Sequence, residues 1–128
     1  MTQKDKELLL KDLCARLPYG VILNGKKNGR LVSIEFQSLG EIRIRVIIVN
    51  FISSKMMFFN ANHLEEHLPY LRPLSSMTKK EKEEMDNFPI YHSDFLKVDF
   101  YNKHHIDYRG LIPMGLALEA PEGMYETG

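Results

Sequence analysis

Cysteine is nearly absent from this chain: Cys14 stands alone among 128 residues. A single thiol excludes an internal disulfide framework and any zinc site built from several thiolates. It also makes a reducing, intracellular setting the default. An excess of one charge is lacking too. The 17 basic and 17 acidic residues cancel, so the molecule as a whole has no long-range field to draw it to nucleic acid or an anionic membrane. Only a local patch stays open. Long apolar runs are missing as well. The longest, Val46-Ile47-Ile48-Val49, resumes after Asn50 only for Phe51 and Ile52, far short of the roughly 20 residues a membrane-spanning helix requires. The opening Thr2-Gln3-Lys4-Asp5-Lys6-Glu7 is polar where a secretory signal needs an apolar centre. These absences are read as a cytoplasmic, soluble protein with no membrane partner.

What is present matches an ordinary globular composition, with 44% hydrophobic and 27% charged residues, which argues against wholesale disorder. No repeat, biased tract or linker divides the sequence, so residues 1–128 are read as a single domain.

Residues 3–17 read as an amphipathic helix. Leu9, Leu10, Leu13, Cys14 and Leu17 recur at three- and four-residue spacing on one face, which places Cys14 in the core as a small apolar filler. Thr2 with Asp5 supplies an N-terminal cap, and Pro18 ends the helix by disfavouring helical geometry at Leu17.

From Tyr19 to about Phe51 the period changes to two. Residues 24–29, Asn-Gly-Lys-Lys-Asn-Gly, form a loop rich in residues that tolerate positive φ. Val32, Ile34 and Phe36 then alternate with polar residues, and after Ser38-Leu39-Gly40 the alternation resumes at Ile42, Ile44, Val46 and Ile48. A three-residue loop with Gly40 left-handed sets Phe36 opposite Ile42 and Ile34 opposite Ile44 on a buried face. Glu35 then faces Arg43, and Ser33 faces Arg45, on the other. Ile47, Val49 and Phe51 suggest that this strand is central, or buried on both faces, at its far end.

Lys55-Met56-Met57-Phe58-Phe59 is a further strand candidate, and Asn62 to Leu68 a short helical turn stopped by Pro69. Pro69 and Pro73 reduce Tyr70-Leu71-Arg72 to an extended edge segment at best. Thr78 and Glu81 form a capping box for a helix to about Asp86, charged nearly all round and expected to be solvated and held at its ends. Ser93 is a candidate cap for another helix reaching about His104, with Leu96, Phe100 and Tyr101 as its contact face.

Three constellations invite a chemical reading. His63-Leu64-Glu65-Glu66-His67 has the order of an inverted zinc-protease motif, but Pro69 cuts its helix short and a third ligand is missing, so a polar surface turn is expected and no metal. His104, His105, Asp107, Tyr108 and Arg109 bring together groups able to move protons or bind phosphate. The structural alternative has Asp107 capping the next turn, Arg109 paired with a carboxylate, and Ile106 and Tyr108 packed on the core. It is preferred, because neither a nucleophile nor a phosphate cradle accompanies the cluster. Lys26, Lys27 and Arg30 at one hairpin end, with Arg43 and Arg45 on the outer sheet face, could follow a phosphate backbone, although Glu35 and Glu41 interleave with them. The candidate binding residues are therefore Lys26, Lys27, Arg30, Arg43, Arg45, His105, Asp107, Tyr108 and Arg109.

Several longer words look familiar. They are residues 6–21, KELLLKDLCARLPYGV; residues 71–78, LRPLSSMT; residues 105–112, HIDYRGLI; and residues 115–122, GLALEAPE. Together they resemble a family of uncharacterised small proteins of gut-bacterial, Bacteroidales-type phages and mobile elements. The resemblance covers both ends, about half the chain, and leaves residues 22–70 as a variable part. It implies an accessory cytoplasmic protein in a bacterial host and carries no assigned activity, so no functional residues transfer with it.

The expected fold is α+β: an antiparallel sheet of about three to five strands, packed by the N-terminal helix, with a helical C-terminal half. The preferred function is a non-enzymatic protein that binds a macromolecular partner, most simply another protein, to modulate host defence or gene expression. No cofactor is expected. The alternatives are nucleic-acid binding through the basic sheet face and a small enzyme using His105, Asp107, Tyr108 and Arg109. Oligomeric state is left open.

Overall fold

The computed structural model describes residues 1–48, 55–90 and 93–125. Helix α1 (Gln3–Arg16) begins at the expected capping box, in which Thr2 Oγ1 accepts from the Asp5 amide and the Asp5 carboxylate accepts from the Thr2 amide. Its buried stripe is Leu9, Asp12, Leu13 and Arg16. That phase leaves Cys14 exposed, so the thiol is not the core filler its spacing suggested. The reason is that a charged pair one turn apart, Asp12 and Arg16, takes the inward positions.

Strands β1 (Ile22–Leu23), β2 (Gly29–Phe36), β3 (Ile42–Ile48) and β4 (Met56–Asn60) form an antiparallel sheet in that order. The expected register holds: Phe36 pairs with Ile42, Ile34 with Ile44, Glu35 with Arg43 and Ser33 with Arg45. The Gln37 amide donates to the Glu41 carbonyl at 2.7 Å, closing a three-residue loop in which Gly40 is left-handed. Leu39 is left-handed too, at φ 64°.

Two details differ from the alternation. The ladder slips between Leu31 and Ser33, so Leu31 rather than Val32 enters the core. A bulge residue reverses which side chain of an apolar pair points inward. Phe36 is 77% exposed although it faces Ile42 as expected. Strand β3 is central, between β2 and β4. The reading of Val49 and Phe51 lies outside the described residues.

Gly29 is required by packing. A Cβ there would lie 2.5 Å from Val46 Cγ2. Gly29→Ala should cost about 1–3 kcal/mol by overpacking, read as a lower urea midpoint at unchanged slope.

A second sheet went unseen in the sequence. Strand β5 (Tyr70–Pro73) pairs in parallel with both β6 (Ile106–Asp107) and β7 (Leu118–Glu119), in the order β6-β5-β7. The expected edge segment is thus a central strand. It can be, because Pro69 enters the ladder as an acceptor, taking the Leu118 amide, while the Arg72 amide donates to the His105 carbonyl and Ala120 donates to Leu71. A bridge from Leu23 to Pro69 links the two sheets.

The 61–66 stretch is a short 3-10 helix. Helix α2 (Lys79–Asp86) starts at its capping box, and α3 (Ser93–Lys103) follows. Ser93 is already the first helical residue, and the position ahead of it lies outside the described residues. The main core joins Leu9 and Leu13 of α1 to Val21, Leu23, Leu31, Ile44, Val46, Ala61, Leu64, Leu71, Leu111, Leu116 and Ala117. A smaller cluster of Met85, Phe100 and Ile106 seats α2 and α3. The architecture is mixed α+β, with the first helix on a four-stranded antiparallel sheet and the C-terminal helices beside it. Among the described residues no helix is long and apolar enough to cross a membrane.

Candidate functional site

The His104 to Arg109 stretch leaves α3 through His105, which has a left-handed backbone at φ 60°. That reversal turns each side chain toward a different neighbour. Asp107 accepts from the amides of Leu111 and Ile112 at 2.8 and 2.9 Å, capping the turn that follows. Arg109 Nε donates to Asp12 at 3.0 Å. The Tyr108 ring stacks on Tyr101 and carries the guanidinium groups of Arg16 and Arg109 at 5.4 and 5.0 Å from its centre. His105 is buried and stacks on Tyr125 at 3.9 Å. Burial holds its imidazole neutral, lowering its pKa to about 3, with the Arg16 charge adding to the effect. Among the described residues, Asp107 is thus engaged in a cap, Arg109 in an ion pair, and the rings of His105 and Tyr108 in stacks.

Two buried ionic networks were not anticipated. In the first, Asp12 takes Arg16 Nε at 2.8 Å on one oxygen and Arg109 on the other, while Arg16 Nη2 donates to the Ile106 carbonyl. In the second, Arg72 grips Glu81 in a two-pronged bond of 2.7 and 2.9 Å and donates onward to the carbonyls of Ser76 and His104. Glu81 also accepts from the Thr78 amide, and His104 Nδ1 lies 3.3 Å away. The Arg72 hydrogen bonds hold this carboxyl down at about 2, against the opposing cost of burial. At 2% exposure, Glu81 anchors the first turn of α2 and Met85 its last, while the residues between them stay exposed, as expected of a solvated helix held at its ends. A carboxylate so fully committed has no lone pair to offer a substrate. The signal for the first network was present, because Asp12 and Arg16 share the phase of Leu9 and Leu13.

The metal-like motif does not assemble. His67 Nδ1 donates to the Asn24 carbonyl at 3.0 Å and its ring stacks on Phe59 at 4.0 Å. His63 is exposed, 3.6 Å from Glu66. Among the described residues no group of three or more potential ligands is placed to hold a metal ion.

The basic residues divide among three places. Arg30 donates to the Gly20 carbonyl at 2.9 Å. Arg45 pairs with Glu35 at 3.0 Å, and Arg43 lies over the Phe58 ring at 4.7 Å. Lys26 and Lys27 line a cavity of about 690 Å³ at the far end of the sheet.

Sequence reasoning missed the exposure of β4. Met56, Met57 and Phe58 are all open to solvent, Phe58 at 61%, and β4 ends the sheet order, with no ladder partner beyond it among the described residues. Alternation normally hides every second residue of a strand, and here successive residues stay exposed. No family model, no curated protein and no solved structure matches the chain.

Proposed function

We propose that this is a non-enzymatic binding protein that engages another protein by adding a strand of that partner to β4. The observation that carries the reading is an open sheet edge with Met56, Met57 and Phe58 exposed in succession. Natural edges are usually blunted by charge, proline or a covering segment, since unpaired backbone groups recruit other chains. An apolar edge kept in water instead suits strand addition, where the backbone supplies affinity and alternate side chains supply specificity. Arg43 over Phe58 and Lys55 at the head of the strand favour a partner segment that mixes apolar and acidic residues.

An accessory role in a phage or mobile element, acting on host defence or gene expression, rests on the word-level resemblance at the two ends of the chain. Nucleic-acid binding has less support, since Arg45 is paired with Glu35 and Arg30 is turned to a carbonyl. The enzyme reading has less support, since Asp107 is spent on a cap and Arg109 on an ion pair.

The test is quantitative capture from bacterial host lysate with wild-type protein and with Phe58→Glu. An interface aromatic contributes about 2 kcal/mol or more, roughly thirtyfold in affinity. The expected result is a partner retained by the wild type and lost with the variant, which itself stays folded, with hydrogen-exchange protection on β4 in the complex. A set of captured proteins identical for both forms would overturn the reading.

A further inference from the structure

The cavity beside the loop of residues 24–27 lies apart from the turn of residues 104–109 and from the buried ion pairs described above. Its apolar wall follows from register. Val46 pairs with Met57, and Ile44 with Phe59, so Val46, Ile48, Met57 and Phe59 project from one face of adjacent strands. Leu23 completes the wall from β1, and the loop of residues 24–27 forms the opposite lip. His67 closes one side, held by its bond to the Asn24 carbonyl and its stack on Phe59. The volume, about 690 Å³, falls in the range of small-molecule sites, about 300–1,000 Å³.

Charge at the lip is of one sign apart from a single group. Lys26, Lys27 and Lys55 line it, against one carboxylate, Glu66. Lys26 and Lys55 are both exposed. Ammonium groups at the mouth of an apolar pit select a molecule with a water-avoiding body and one anionic end, since the body gains by leaving water and the head remains near solvent. A cationic amphiphile of the same length meets the same wall and the wrong lip.

We infer that this cavity binds a small amphipathic anion as a free monomer, with its apolar body against Leu23, Val46, Ile48, Met57 and Phe59 and its anionic head between Lys26 and Lys55. This inference goes beyond the strand-addition reading, with which it shares Met57 and Lys55; the two stay separable because amphiphile binding is read on the purified chain with no protein partner present.

The probe is dodecanoate, kept below its micelle-forming concentration and titrated into the full chain by calorimetry and by NMR of backbone amides and methyl groups. One dodecanoate per chain is expected, with shifts concentrated at Gly25, Lys26, Val46, Ile48 and Met57. Dodecyltrimethylammonium should bind about tenfold more weakly, and the double variant Lys26→Glu/Lys55→Glu should reverse that order. Met57→Glu, at a solvent-open wall position, should abolish dodecanoate binding, while Leu39→Ser at the distant hairpin tip should leave it unchanged. Four results would each overturn the proposal: no monomer complex, equal affinity for the two amphiphiles, shifts centred on Phe36 and Leu39, or association seen only with anionic phosphatidylglycerol vesicles.

Discussion

Arg72→Met should destabilise the protein by about 3–5 kcal/mol, because it strands a buried carboxylate without its partner. Glu81 is 2% exposed and takes both prongs of the guanidinium. The same change frees the carbonyls of Ser76 and His104, which now accept from Arg72. Replacing both partners at once, Arg72→Met with Glu81→Leu, should recover much of the loss, since an apolar pair of similar volume leaves no charge to desolvate. Chemical denaturation of the two single variants and the double variant supplies the complete cycle. If Arg72→Met changed stability by less than about 1 kcal/mol, the pair would be behaving as a solvent-exposed one.

Acidification should weaken the fold in two stages. His105 is neutral in the native state and titrates near 3, whereas in the unfolded chain it takes a proton near its ordinary 6.5. Below 6.5 the unfolded state therefore holds more protons, and stability falls as pH falls. About 2–3 kcal/mol should be lost between pH 6.5 and 4.5. Glu81 enters lower. Its carboxyl is ionised in the native state down to about 2 against an ordinary 4.5, so its contribution is complete above 4.5 and disappears toward 2. His105→Phe keeps a ring against Tyr125 and should flatten most of the upper stage while leaving the lower one. His104, lowered mainly by burial, adds a remainder of the same sign. Urea midpoints at half-unit pH steps check both stages. An unchanged slope between 6.5 and 4.5 in the variant would show that His105 is not the titrating group.

The hairpin was legible because its information is local. A turn with Gly40 and alternation on both sides leave one register that keeps Glu35 beside Arg43 and Ile34 beside Ile44. The bulge was not legible, since Leu31 and Val32 are adjacent and apolar and either phase reads well. The second sheet was hidden for a different reason. β6 and β7 are two residues long, too short to carry any period, and their pairing with β5 spans more than thirty residues of chain in each case.

The same division holds for the sites. Asp107 ahead of a glycine turn, and Arg109 within reach of some carboxylate, can be assigned roles by residue type alone. Which carboxylate cannot be, because Asp12 lies 97 positions away. Glu81 looked like one more charge on a solvated helix, and only the placement of Arg72 on a central strand makes it an interior group. Cys14 shows the converse failure. Its spacing fits an apolar stripe, but a helix has one inward face, and Leu9, Leu13 and Arg16 had already taken it. The end cavity is assembled from four separate chain segments, so no window of sequence contains it.

The Tyr125 hydroxyl accepts from the Ile22 amide and donates to the Tyr70 carbonyl, both at 2.8 Å. One oxygen near the end of the chain therefore buckles the first strand of one sheet to the middle strand of the other. Loss of that oxygen alone, as in Tyr125→Phe, would unfasten the seam between the sheets while keeping a ring over His105, so a single hydroxyl acts as the rivet between the two sheets.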